Sequence, residues 1–386
     1  MSALLLFGDT ARSAALRHEI PVEIIDPLLF CSAGGRTRVL TFDIERSRIE
    51  RHAPEVEVLD YFEFGMKELR QSGLSSEEAQ RESAVRALRH LGVRSATVAA
   101  DFPLGLADRL RADGVELTVD DAAVRDRRRR KSPRELEGIA VAQRSAESGM
   151  AAAADMLARA EPGPGGRLHR DGVELHSEHV RAALRDACHA AGAPCPPDVM
   201  VASVWSGYGH EPGSGPLPAG LPIIVDLWPR DEESACWADM TRTFVVGAAP
   251  PEHTELIEEQ EQLVRAAIDA AISSIRPGIT GRELYDAACD RFEAAGYATQ
   301  RTGPGEHPHE GFQFSLGHGV GLEIHEAPIL GLAGAEALVE GDVVAVEPGL
   351  WDRRIGSVRF EDLVLVTGEG CEVLTRYAYD LTPARG

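Results

Sequence analysis

The sequence is short of several things, and each shortage removes a class of function. Its six cysteines (Cys31, Cys188, Cys195, Cys236, Cys289 and Cys371) include no Cys-x-x-Cys pair. A thiolate zinc site and a disulfide framework are therefore not expected, and the thiols should be reduced and mostly buried. No run approaches the ~18 apolar residues that a membrane helix requires. The start, Met1-Ser2-Ala3-Leu4-Leu5-Leu6-Phe7-Gly8-Asp9, has no basic segment and only a brief apolar run, so no secretion signal is expected and a cytoplasmic location is. Positive charge is scarce: 40 Lys and Arg stand against 62 Asp and Glu, a formal net charge of -22. Such a surface repels phosphate backbones and anionic lipids, so neither nucleic acid nor membrane is an expected partner.

What is present suits a globular protein: 386 residues, 44% hydrophobic, enough for one large or two ordinary domains. Strand patterns at 39–42, 56–59 and 96–100 alternate with helical patterns at 76–91 and 104–112, which describes a small α/β domain without a chemical motif. Then comes the basic run Arg125-Asp126-Arg127-Arg128-Arg129-Arg130-Lys131, read as a solvated linker or helix flank. Ser132-Pro133-Arg134-Glu135 supplies an N-cap, a first-position proline and an acid at the third helical position, predicting a helix to about residue 160. The boundary falls just before it, giving domains 1–124 and 125–386.

The second domain has a weak internal repeat. Glu161-Pro162-Gly163 leads into a helix ending Ala190-Ala191-Gly192, and Arg276-Pro277-Gly278 leads into one ending Ala294-Ala295-Gly296. Two similar halves with a site between them are expected. Strand patterns follow each helix, and they carry acids where a core strand should have none. Asp226 ends Ile223-Ile224-Val225, Glu347 ends Val343-Val344-Ala345-Val346, Glu361 sits within 358–366, and Asp239 precedes Met240-Thr241-Arg242-Thr243-Phe244. A buried carboxylate costs several kcal/mol unless paired, hydrogen-bonded or bound to metal.

Four such acids and the glycine-flanked histidine of Gly317-His318-Gly319 are compensated together by a metal site rich in oxygen ligands, suited to Mn, Fe, Co or Zn. Four carboxylates exceed what one divalent ion neutralises, and two ions about 3.5–4 Å apart balance them.

These stretches resemble a known family. His318-Gly319-Val320-Gly321-Leu322-Glu323-Ile324-His325-Glu326, Asp239-Met240-Thr241-Arg242-Thr243, Val346-Glu347-Pro348-Gly349 and Val358-Arg359-Phe360-Glu361-Asp362 are similar to the signatures of the pita-bread metallopeptidases, which include methionine aminopeptidase, aminopeptidase P and prolidase. The resemblance covers roughly residues 130–380, and the first domain is similar to the N-terminal domain of prolidase, aminopeptidase P and creatinase. It implies an α+β protein: a pita-bread catalytic domain with a pseudo-twofold repeat, preceded by a small α/β domain.

It further implies two divalent ions per chain, Mn first, with Co, Fe and Zn compatible. Asp226 would bind one with two oxygens, His318 and Glu347 the other, and Asp239 and Glu361 would bridge them. A hydroxide between the ions would be the nucleophile, with Glu347 carrying its proton. His210 and His325 would bind the scissile carbonyl and stabilise the oxyanion, and Arg359 would hold a bridging carboxylate or its water. The expected substrates are small peptides with proline at the second position, and the expected assembly is a homodimer.

Two positions depart from the family pattern. Trp228 stands where glycine is common, which alters the expected substrate wall. Ile329 stands where some prolidases carry an arginine for the dipeptide carboxylate, which speaks against strict dipeptidase activity. His307 and His309 match nothing specific and read as surface loop. The function expected is hydrolysis of the Xaa-Pro bond at peptide N-termini or in dipeptides. The alternatives are a C–N hydrolase or lyase of the same fold acting on a small zwitterion, and a catalytically inactive peptide-binding relative.

Overall fold

The computed structural model describes residues 2–206, 209 and 211–385, and the chain divides into two compact units, Met1–Arg128 and Arg129–Gly386. The first is built on six strands: β1 (Ala3–Gly8), β2 (Leu28–Ala33), β3 (Arg36–Thr41), β4 (Val56–Asp60), β5 (Ser95–Val98) and β6 (Glu116–Val119), in the order β4-β3-β2-β1-β5-β6. Leu4-Leu5-Leu6, weighed in the sequence only as a leader, belongs to a central strand in which Leu5 is wholly buried. The helix Ser76–His90 packs its apolar face on this sheet and starts at a capping box formed by Ser75 and Glu78.

The second unit starts with the helix Pro133–Ala158. Ser132 accepts the Glu135 N–H, the Glu135 carboxylate accepts the Ser132 N–H, and Pro133 occupies the first turn, a cap worth about 1 kcal/mol. Its buried face, which includes Ile139, Ala142, Ala146, Met150 and Ala153, recurs at helical spacing and packs against the helix Ser177–Ala190. A small sheet of β7 (Glu161–Pro162), β8 (Leu168–Arg170) and β9 (Val173–Glu174) joins the two helices. β10 (Met200–Ser203), β11 (Ile223–Leu227) and β12 (Met240–Phe244) follow as an antiparallel sheet.

The second half repeats the plan. The helices Pro251–Ser274 and Gly281–Ala294 pair with each other. Behind them runs a sheet of β13 (Gly317–Gly319), β14 (Glu326–Leu330), β15 (Val343–Val346), β18 (Asp362–Val366) and β19 (Cys371–Val373), in the order β14-β13-β15-β18-β19. A hairpin, β16 (Gly349–Asp352) with β17 (Gly356–Arg359), completes it. Each half has its own apolar core, one around Met150, Leu184 and Val225 and the other around Phe292, Val344 and Val364.

One expectation needs correction here. Residues 358–366 read as one strand, but the chain leaves β17 and enters β18 across Phe360 and Glu361. Phe360 is fully buried, and the Glu361 N–H is donated to the carbonyl of Thr241 on β12 instead of to a ladder partner. No described helix is long and apolar enough to cross a membrane. All six cysteines are free, and five of them are buried.

Candidate metal centre

The acids gather because β11 and β12 of the first half pack against β17 and β18 of the second. Asp226, on β11, lies opposite Thr241 of β12. Asp239 precedes β12, Glu347 follows β15, and Glu361 sits where the chain changes sheets. His318 occupies the middle of β13, in register with Ala345 on one side and Ile329 on the other. Its neighbours must be small: a Cβ on Gly317 would lie 1.9 Å from the Ala345 carbonyl oxygen, and one on Gly319 2.3 Å from that of Ala327.

The donor atoms converge. Three overlapping groups, Asp226/Asp239/Glu361, His318/Glu347/Glu361 and Asp239/His318/His325, each offer atoms within 4.8 Å of one another. His318 Nε2 stands 3.6 Å from both Asp239 Oδ2 and Glu347 Oε1. Its Nδ1 lies 3.1 Å from the Gly319 carbonyl oxygen. A carbonyl only accepts, so the ring proton sits on Nδ1 and the Nε2 lone pair faces the carboxylates. Burial also lowers the His318 pKa, which favours the neutral ring. Thr241 Oγ1 donates to Glu361 Oε2 at 2.8 Å. Arg359 Nη2 donates to Asp226 Oδ2, and its Nη1 lies 3.6 Å from Glu347 Oε2.

The electrostatics fit cations. Burial first, and then the neighbouring carboxylates, raise the pKa values of Asp239 and Glu361 well above the usual range. Burial works against charge on Arg359, yet Asp226, Glu347, Glu361 and Asp239 outweigh it and raise the guanidinium pKa. One guanidinium does not balance four carboxylates. Asp226 Oδ1 is buried without a hydrogen-bond partner, an uncompensated acceptor of the kind a metal satisfies. The hard oxygen donors and single imidazole fit divalent ions.

A cavity of about 480 Å³ opens over this cluster. Of the residues singled out from sequence, His318, His325, Glu347, Arg359 and Ile329 line it. His325 is exposed, with its ring perpendicular to that of His318 at a centroid distance of 4.2 Å. Ile329 is 47% exposed. Trp228 is not among the described lining residues and packs, partly buried, against the first-half core. His210 lies outside the described residues. His307 and His309, expected as plain surface loop, are half-buried against Trp351, the former stacked at 5.3 Å and the latter edge-on at 6.2 Å.

Sequence reasoning missed several participants. Trp351 and Phe314 line the cavity, and their aromatic type within glycine-rich stretches was the available signal. Arg242 is 1% exposed, donates to the Glu361 carbonyl at 2.7 Å and pairs with Asp362 at 2.8 Å, so it anchors the segment bearing Glu361. The basic run is not uniformly solvated: Arg129 and Lys131 are buried, paired with Asp342 and Glu326.

The sequence profile of metallopeptidase family M24 matches residues 137–368. This chain belongs to that family. It is 31% identical to the Xaa-Pro dipeptidase of Pyrococcus horikoshii over 295 residues, which cover 75% of each chain. Among solved structures, the prolidase of Pyrococcus horikoshii OT3 superposes with a TM-score of 0.74 at 24% identity, covering 99% of this chain and 95% of that one. The X-Pro aminopeptidase of Thermotoga maritima superposes with a TM-score of 0.76 at 20% identity, covering 98% and 97%. The α+β architecture is the pita-bread fold, and the protein is a metallopeptidase whose carboxylate and imidazole cluster suits divalent ions.

Proposed function

We propose that this M24 peptidase hydrolyses the bond between an N-terminal residue and a following proline, in dipeptides or longer peptides. The set of four carboxylates, three of them buried, and one Nε2 donor beneath the cavity carries the reading. The names of the similar proteins, an Xaa-Pro dipeptidase and an X-Pro aminopeptidase, support the proline preference. Asp226 would hold one ion and His318 with Glu347 the other, with Asp239 and Glu361 shared; both join Asp226 in one donor group, while Glu361 also groups with His318 and Glu347 and Asp239 lies 3.6 Å from His318 Nε2, which supports the sharing. When bound, a pair of divalent ions lowers the pKa of water towards about 7 and polarises the scissile carbonyl.

The chain's own groups do the rest. Arg359 holds Asp226 and Glu347 in place, and Thr241 orients Glu361 through its hydroxyl. Glu347, on the cavity wall and less buried than Asp226, Asp239 and Glu361, accepts the proton of the attacking water and returns it to the proline nitrogen. His325, exposed in the cavity, donates to the carbonyl oxygen as it gains charge, with His210 as its second donor. Trp351 and Phe314 offer ring faces for the pyrrolidine. The apolar Ile329 gives a dipeptide carboxylate no ionic partner, which favours longer peptides. The proposal includes manganese as the ion, a catalytic domain of residues 125–386, a homodimer and a cytosolic location.

The test is a panel of Ala-Pro, Ala-Pro-Ala and Met-Ala-Ser with Mn- or Co-supplied protein and chelator controls. Cleavage of Ala-Pro-Ala, abolished by chelator, is expected. No cleavage of either proline peptide would overturn the reading.

A further inference from the structure

Lys131 closes the basic run that the catalytic cluster does not use, and it is buried. Its side chain is 1% exposed and that of Glu326 is 3% exposed; the ammonium donates to Glu326 Oε1. A charge so enclosed is costly unless its geometry is used, because two apolar side chains would fill the same space at least as stably. Lys131 is itself held in place. Its N–H points to the Gly341 carbonyl at 3.4 Å, and the next residue is Ser132, the N-cap of the helix Pro133–Ala158.

The partner, Glu326, adjoins His325. Its other oxygen accepts the Glu323 N–H at 3.4 Å. The loop of residues 320–326 wraps closely around the ion pair. The Gly321 N–H is donated to the Glu323 carbonyl at 3.0 Å, and the Gly321 carbonyl accepts the Trp237 N–H at 2.8 Å. A Cβ at Gly321 would sit 2.7 Å from Glu326 Oε1 and 2.8 Å from Lys131 Cε. The backbone on either side of His325 is thus tied to one carboxylate, and that carboxylate is tied to one ammonium.

We infer that Lys131 is a positioning residue: through Glu326 it sets the loop that carries His325 and holds the imidazole over His318 in the cavity. The inference rests on the proposed role of His325. It predicts that losing the ammonium misplaces the ring while the metal ligands stay where they are. A misplacement of about 1 Å at a reacting centre costs roughly a hundredfold in rate.

The test is a double-mutant cycle of Lys131→Met and His325→Ala in the full-length Mn-loaded protein, with kcat and KM for Ala-Pro-Ala and bound metal measured together. Each single variant should lose ten- to a hundredfold in kcat with KM and metal content little changed, and the double variant should be no slower than His325→Ala. Effects that multiply, or wild-type kcat in Lys131→Met, would overturn the inference. If Lys131→Met does not fold, Glu326→Gln, which keeps the shape and removes the charge pair, takes its place in the cycle. Should His325→Ala keep full activity, or the wild type cleave no proline peptide, the proposed function fails and not this inference. The His325 ring signal in the NMR spectrum of the zinc-loaded protein then decides: a shift in Lys131→Met supports positioning, and an unchanged signal overturns it.

Discussion

Stripping the metal should leave a protein whose stability falls as pH rises, opposite to the trend of ordinary acid denaturation. The Asp239 and Glu361 carboxyls are pushed up, by burial first and by their neighbours second. The folded metal-free chain therefore binds their protons more tightly than the unfolded chain. The stability they contribute is complete below the unfolded carboxylate values near 4 and drains as pH rises through the elevated folded values. His318 acts the other way, since burial lowers its pKa; it favours folding as pH rises towards its unfolded value of about 6.5.

Each of the two carboxyls contributes a falling slope of at most ~1.4 kcal/mol per pH unit, and the one imidazole opposes it. The net fall between about pH 5 and 6.5 is therefore at most a few kcal/mol, or several °C in Tm at ~2 °C per kcal/mol. Manganese at a hundredfold its Kd adds ~2.7 kcal/mol per site, and two sites together raise Tm by ~10 °C. Bound metal must also reverse the pH trend, because the ligands have to shed their protons to bind it. Thermal melts followed by circular dichroism, with chelator and then with Mn, read both effects. A metal-free Tm that climbs from about pH 5 to 6.5, or a Tm indifferent to Mn, would refute the reasoning.

Other perturbations separate the parts of the account. Arg242→Met leaves the 6%-exposed Asp362 side chain without its ion-pair partner and should cost about 3–5 kcal/mol in urea unfolding of the metal-free chain; a loss under 1 kcal/mol would contradict the anchoring role. Ile329→Arg places a guanidinium at the cavity, and one charge-assisted hydrogen bond of ~1.5–3 kcal/mol should raise kcat/KM for Ala-Pro relative to Ala-Pro-Ala by roughly tenfold or more. An unchanged ratio would mean that Ile329 does not face the peptide's carboxyl end. Trp351→Ala removes an aromatic wall of the cavity and should raise KM for Ala-Pro-Ala about tenfold with kcat less affected, an effect of ~1.4 kcal/mol; a fall in kcat alone would assign the indole a different task.

The carboxylates were visible in the sequence because an acid at the end of an apolar strand is unusual wherever the fold places it. Asp226, Asp239 and Glu347 sit at or beside strands whose patterns are plain. The break at Phe360 and Glu361 was hidden, since alternation along 358–366 does not reveal that the chain changes sheets there. The basic run misled for a related reason. Arg129 and Lys131 find their carboxylates 213 and 195 residues away, and composition around a lysine carries no sign of a partner so distant. Trp351 and the His307–His309 pair likewise meet only through tertiary packing. Leu4-Leu5-Leu6 was legible as apolar but not as a central strand, because strand order is set by pairing across the whole unit.

The central claim is that two ions share this one cluster. Equilibrium dialysis against Mn, with bound metal counted per chain, tests it most directly: the account predicts two ions for the wild type and one for His318→Ala, with Asp226, Asp239 and Glu361 still forming a donor group. A single ion in the wild type, or two retained in His318→Ala, would contradict it.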